Sequence, residues 1–158
     1  MDDILIVGGG IGGLTLGLAL HAANIPCRVF ESAPEIRAVG VGINLLPHAT
    51  KELAALGLEA DLARVAIETK DASFFNRFGQ LIYQEPLGRA AGYDHPQFSI
   101  HRGDLQMVLL EAFKSRVGAG GADRIDHHLA MRHPARPHHA GARQHRLPAR
   151  HAAPHVDP

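Results

Sequence analysis

The chain has 158 residues, 46% of them hydrophobic, and its 16 Lys and Arg balance 16 Asp and Glu for a formal charge of zero. That length accommodates one domain with a buried core, and no apolar run approaches the roughly 18 residues of a membrane span; nucleic acid is not expected, because the basic segment 124–158 carries little net charge and no aromatic residue. A single cysteine, Cys27, excludes an internal disulfide framework and points to a reducing, cytoplasmic setting.

The neutrality is the sum of two unlike parts. Residues 1–123 carry 10 Lys and Arg against 14 Asp and Glu, and hold every Phe and Tyr. Residues 124–158 carry six Arg against two Asp, with eight of the 12 His, five of the 10 Pro and no aromatic residue. Asp2 and Asp3 run directly into an apolar stretch, without the basic flank of a secretory leader.

In chain order, the apolar run Ile4-Leu5-Ile6-Val7 predicts a strand over 3–7, followed by the glycine-rich turn Gly8-Gly9-Gly10-Ile11-Gly12-Gly13. A helix is predicted over 12–23, carrying Leu14, Leu16, Leu18 and Leu20, and a second strand over 27–31 through Cys27-Arg28-Val29-Phe30. Strand, glycine turn, helix and an acidic residue at the end of the next strand make a dinucleotide-binding fingerprint. Gly8 lets the chain turn sharply, Gly10 lets the backbone approach a pyrophosphate, and Gly13 lets the helix pack close to the strand. The N–H groups of the first helical turn, from Ile11 and Gly12 onward, face the phosphates with the positive end of the helix dipole. Glu31 sits where a carboxylate accepts both hydroxyls of an adenosine ribose, the plain alternative being a solvated acid at a strand end. A negative charge there opposes a 2′-phosphate, which favours FAD or NAD over NADP.

Beyond Ala33-Pro34, residues 37–42 form a glycine-punctuated loop leading into Ile43-Asn44-Leu45. PHATKELAAL predicts a helix over 47–56 with Pro47 in its first turn and Gly57 as its stop. Ala72-Ser73-Phe74-Phe75 and Leu81-Ile82-Tyr83 flank a polar turn at 77–80 and predict a β-hairpin. Residues 88–96 read as a loop and Phe98-Ser99-Ile100 as a short strand. A helix follows from Asp104, with Leu105, Val108, Leu109, Ala112 and Phe113 on one face, Lys114 and Arg116 in its last turn, and Gly118 as its stop. After Gly118 neither period persists, and 124–158 is expected to be disordered.

Several separated segments, GGGIGGL, Phe30-Glu31, EIRAVGVGINLLPHATKELAALGL and HPQFSIHRGDLQMVLLEAF, resemble in order the N-terminal part of the group A FAD-dependent aromatic hydroxylases, the para-hydroxybenzoate and salicylate hydroxylase superfamily. Within it the likeness is to the phenazine-biosynthesis branch, the 5-methylphenazine-1-carboxylate 1-monooxygenase type. The resemblance implies an α/β fold: the opening of a Rossmann-like, glutathione-reductase-type FAD-binding domain over 1–123, with 65–100 starting a β-rich substrate layer. It implies that Gly8, Gly10 and Gly13 hold the FAD pyrophosphate and Glu31 the ribose. Arg37 and the backbone of Val41 and Gly42 would lie along the ribityl and isoalloxazine side, and Arg102 would reach the phosphate or ribityl chain. His48 and His101 read as structural histidines.

In such enzymes NAD(P)H reduces the flavin, O₂ adds to it, and a C4a-hydroperoxyflavin hydroxylates a small aromatic substrate; the cofactor carries the chemistry. No residue here is assigned as a catalytic acid, base or nucleophile. Phe74, Phe75, Phe78, Tyr83 and Phe98 would supply the first strands of the substrate layer, or serve as plain core. The family's Asp-Gly and Gly-Asp-Ala motifs do not appear, and Arg, Ala, Pro, His and Gly dominate where the third sheet strand should follow. The expectation is a frameshift near codons 119–131 and a truncated product inactive by itself. Adventitious metal binding by the His-rich tract is credible, but its spacing supports no designed metal site. A non-catalytic nucleotide-binding module and a Rossmann dehydrogenase are the other readings.

Overall fold

The computed structural model describes residues 4–38, 40–117 and 125–126. Strand β1 (Ile4–Val7), helix α1 (Ile11–Ala22) and β2 (Cys27–Phe30) form a βαβ unit, with β1 and β2 parallel and Val7 opposite Phe30. A short β8 (Ile125–Asp126) pairs in parallel on the far side of β2, Ile125 opposite Val29. The described residues therefore include a third strand in this sheet. The remainder of the expected disordered segment lies outside the described residues.

Between β2 and β8 the chain builds a second layer. β3 (Gly42–Leu45) pairs antiparallel with β7 (Gln97–His101), whose other edge takes β4 (Ile67–Thr69). Helix α2 (Pro47–Ala55) has proline at its start and ends before Gly57, whose φ of +72° suits a residue without a β-carbon. Helix α3 (Glu59–Val65) was not foreseen, being too short for its period to register; Glu59 and Asp61 in its first turn and Arg64 in its last match the helix dipole. The hairpin forms as expected from β5 (Asp71–Phe75) and β6 (Leu81–Pro86), while 88–96 contains a 3₁₀ turn over Gly88–Ala91.

Helix α4 (Arg102–Val117) closes the unit against α1. Its buried face includes Leu105, Leu109, Ala112 and Phe113 as the spacing predicts, and also Leu110 and Val117. Phe113 lies on Gly17 of α1 so closely that a β-carbon there would sit 2.5 Å from the ring. Leu14 and Leu18 bury beside this contact, whereas Leu16 faces outward at 48% exposure. Cys27 and Val29 of β2 join the same core, with Ile100 and Phe98 of β7.

Two apolar surfaces stay open among the described residues. β1 reads as a strand buried on both faces, yet it lies at the edge of its sheet, and Leu5 and Val7 are 62% and 60% exposed. Phe74, Phe75, Phe78 and Tyr83 of the hairpin region are each more than half exposed, whereas Phe98 is buried. The aromatic set thus divides: Phe98 is core, and core packing does not account for the other four.

Two outcomes follow from this packing. Gly17→Ala should cost about 1–3 kcal/mol in chemical denaturation, because a buried ring must move to admit the methyl group. The purified chain should self-associate by light scattering, and replacing Phe74, Phe75 and Phe78 together by Ser should reduce that association.

Candidate functional site

The glycine turn joins β1 to α1, and its conformation follows from contacts that exclude side chains. Gly8 has φ +107° and donates its N–H to the Phe30 carbonyl at 2.7 Å, so the chain leaves β1 while still registered on β2. A β-carbon on Gly13 would lie 1.9 Å from the Gly8 oxygen, which fixes the first turn of α1 against the end of β1. At Gly10 and Gly12 the opposite holds: an added β-carbon would meet nothing within 4 Å. The loop is packed on its strand side and open above.

Gly10 is the N-cap of α1, with no side-chain cap and no acidic residue in the first turn. Ile11, Gly12 and Gly13 therefore begin a helix whose first donors no side chain caps, the arrangement that receives an anion. The residues fit a dinucleotide pyrophosphate: open space, uncapped donors and the positive end of a helix dipole coincide.

Glu31 sits on the rim. Its Oε2 accepts the Gly9 N–H at 2.7 Å, and its Oε1 accepts the Ala33 N–H at 2.8 Å and the Ser32 hydroxyl at 3.3 Å. The Ala33 N–H, then Gly9 and Ser32, hold its carboxyl below the ordinary value of 4.5, against partial burial that pushes it up. Oε2 accepts one bond and keeps a second lone pair, which leaves acceptor capacity for a ribose hydroxyl.

A second cluster forms at the start of α4. The Arg102 N–H donates to the Val41 carbonyl at 2.9 Å, and the stem of Arg102 covers Gly40, whose φ is +137°. His101 accepts the Gly103 N–H at Nδ1 and lies 3.0 Å from the Gly40 carbonyl through Nε2, so Nε2 carries the proton and both nitrogens serve the backbone. Gly42 opens β3 opposite His101, and Val41 is 72% exposed beside it. Arg37 joins neither cluster: it is exposed and pairs with Glu35 at 2.8 Å. His48 is likewise exposed.

One residue that sequence reasoning passed over links the two clusters. Gln106 of α4 donates from Nε2 to the Gly9 carbonyl at 3.1 Å. Its only signal is a polar side chain next to Leu105 on a helix whose neighbouring positions bury. Among the described residues no group of three His, Cys, Asp or Glu is placed to hold a metal, and no helix is long and apolar enough to cross a membrane.

Phenazine 1,6-dicarboxylic acid hydroxylase PhzS of Lysobacter antibioticus is 51% identical over 118 residues, covering 74% of this chain and 29% of that protein. Aurachin C monooxygenase/isomerase of Stigmatella aurantiaca is 41% identical over 107 residues, covering 67% of this chain and 28% of its own length. Homologues of this chain are FAD-dependent aromatic hydroxylases and monooxygenases. The chain spans under a third of the length of these relatives. No protein-family model matches it. Among solved structures, a point variant of Klebsiella pneumoniae HpxO complexed with FAD superposes with a TM-score of 0.65 at 23% identity, over 80% of this chain and 31% of that one. A tetrameric 2-methyl-3-hydroxypyridine-5-carboxylic acid oxygenase gives the same TM-score and identity. These likenesses show the fold, a mixed α/β unit of the FAD-binding hydroxylase type.

The Glu31 bonds give a signed pH dependence. A carboxyl lowered in the folded state contributes stability that is present above its unfolded value near 4.5 and is lost as the pH falls through the lowered folded value. Acid titration of the denaturation midpoint should therefore show a smaller loss below about pH 4.5 in Glu31→Gln than in the wild type, starting from a lower plateau at pH 7.

Proposed function

We propose that this chain is the FAD-binding N-terminal part of an NAD(P)H-dependent flavin monooxygenase that hydroxylates an aromatic or phenazine-like substrate. The observation that carries the reading is the glycine turn of 8–13, closed below by the Gly8–Gly13 contact and open above the uncapped start of α1. Gly8, Gly10 and Gly13 shape the seat of the pyrophosphate, and the first-turn N–H groups of Ile11, Gly12 and Gly13 donate to it. Glu31 accepts the adenosine ribose hydroxyls and disfavours a 2′-phosphate by charge.

Val41 and Gly42 continue along the extended part of the cofactor beside Arg102, whose guanidinium supplies charge toward the phosphate or ribityl chain. Arg37 belongs to this group only if it exchanges its surface partner Glu35 for the cofactor. Bound FAD supplies the electron transfer and oxygen activation that no side chain here provides. The exposed Phe74, Phe75, Phe78 and Tyr83 support placing 65–100 at the start of an apolar substrate layer that keeps water from the reacting ring. The substrate class rests on the likeness to the phenazine hydroxylase. NAD(P)H and O₂ are co-substrates of the whole enzyme rather than of this chain alone. The buried thiol of Cys27 suits a cytoplasmic setting, and the pairing of β8 with β2 supports a folded unit that runs through Asp126.

Gly10→Val tests the seat without disturbing the fold, because φ at Gly10 is −77° and a side chain there enters open space. The wild type should bind FAD saturably, with ADP competing, by quenching of flavin fluorescence. Gly10→Val should keep the wild-type denaturation midpoint and bind at least about tenfold more weakly, a loss of about 1.4 kcal/mol. Equal binding by both proteins contradicts the assignment. Oxygen-dependent consumption of NAD(P)H by the whole enzyme, not by this chain alone, would separate a monooxygenase from a nucleotide-binding module that lacks turnover.

A further inference from the structure

Gly9 has no side chain, yet both of its backbone polar groups are held by side chains distant in sequence. Its N–H goes to Glu31, 22 residues on, and its carbonyl to Gln106, 97 residues on. The residue is buried, and a β-carbon would lie 2.8 Å from Ile36 Cδ1. The peptide between Gly9 and Gly10 joins two residues without β-carbons, so sterics scarcely oppose its rotation as a unit. In a trans peptide the C=O and the following N–H point in opposite directions. Drawing the Gly9 carbonyl onto α4 therefore turns the Gly10 N–H to the side away from α4. A flipped peptide would instead present a carbonyl oxygen where an anion must sit.

We infer that Gln106 is a positioning residue for the cofactor site: its amide pins the Gly9–Gly10 peptide in the orientation that offers an N–H to the pyrophosphate. The role is built into the same short span that fixes the second loop, since His101 and Arg102 hold the Gly40 and Val41 carbonyls. Helix α4 thus sets both loops from one end, and Gln106 acts through the backbone rather than by touching the ligand. The inference rests on the FAD reading for its purpose, but not for the tether itself.

The experiment uses the full chain with Gln106→Met, which keeps length and loses the donor, and Gln106→Glu. NMR of the ligand-free, isotope-labelled protein should show the Gly9 carbonyl carbon moving upfield and the Gly10 amide nitrogen shifting in Gln106→Met, as the carbonyl of that peptide loses its donor. Denaturation midpoints should stay close to that of the wild type. FAD affinity should fall about two- to tenfold in Gln106→Met, the range set by one net hydrogen bond. In Gln106→Glu the ionised carboxylate cannot donate to a carbonyl, so affinity should be weak at pH 8. It should recover toward pH 5.5 as the half-buried side chain, held against a carbonyl, gains a proton to donate; Gln106→Met should show no such recovery. Unchanged Gly9 carbonyl and Gly10 amide shifts in Gln106→Met overturn the tether. Parallel loss of affinity and midpoint in both variants, without recovery in Gln106→Glu, shows a merely structural residue and overturns the positioning role. Absence of FAD binding by the wild type removes the functional reading, and the chemical-shift result then decides the tether alone.

Discussion

The approach of Gly13 to the Gly8 carbonyl is the constraint on which the rest of the site depends. It leaves no room for a β-carbon, so the first turn of α1 lies directly on the end of β1. That places the start of the helix dipole over the strand end, where Gly8 is still bonded to Phe30 of β2. The parallel register of β1 and β2 then brings Glu31, the next residue along, to the glycine turn, where its carboxylate takes the Gly9 N–H. Seat, dipole and rim carboxylate are consequences of one short contact.

Helix α4 is the second organiser. Its far half supplies core through Leu109, Phe113 and Val117, and Phe113 locks it to Gly17 of α1. Its near end carries the polar contacts, from Arg102 on the 40–42 loop to Gln106 on Gly9. Burial at one end therefore gives the precision that hydrogen bonds at the other end require, since a donor held about 1 Å too far loses most of its bond.

The glycine spacing made the βαβ unit, the turn and Glu31 legible, because close approach and positive φ leave few residue types possible at Gly8 and Gly13. Helix α2 and the buried face of α4 were legible from period and caps. What escaped was of two kinds. Helix α3 and strand β4 are short segments whose formation depends on packing against α4 and β7, so local pattern carries little of their signal. Gln106 escaped because an amide bonded to a backbone carbonyl 97 residues away leaves no trace in spacing. The division between buried Phe98 and the exposed hairpin aromatics was also out of reach: composition counts aromatic residues, and only topology says which side of a sheet they occupy. The strand at Ile125–Asp126 shows the same limit, two residues set in a stretch whose composition gave no strand pattern.

The most direct test of the account is a crystal structure of this chain with ADP, the half of FAD that the glycine turn and Glu31 would hold. The account predicts the pyrophosphate over the N–H groups of Gly10 to Gly13, the ribose hydroxyls on Glu31, and the Gly9 carbonyl still on Gln106. ADP bound elsewhere, or a turn that admits the nucleotide only after α1 has moved off β1, would contradict it.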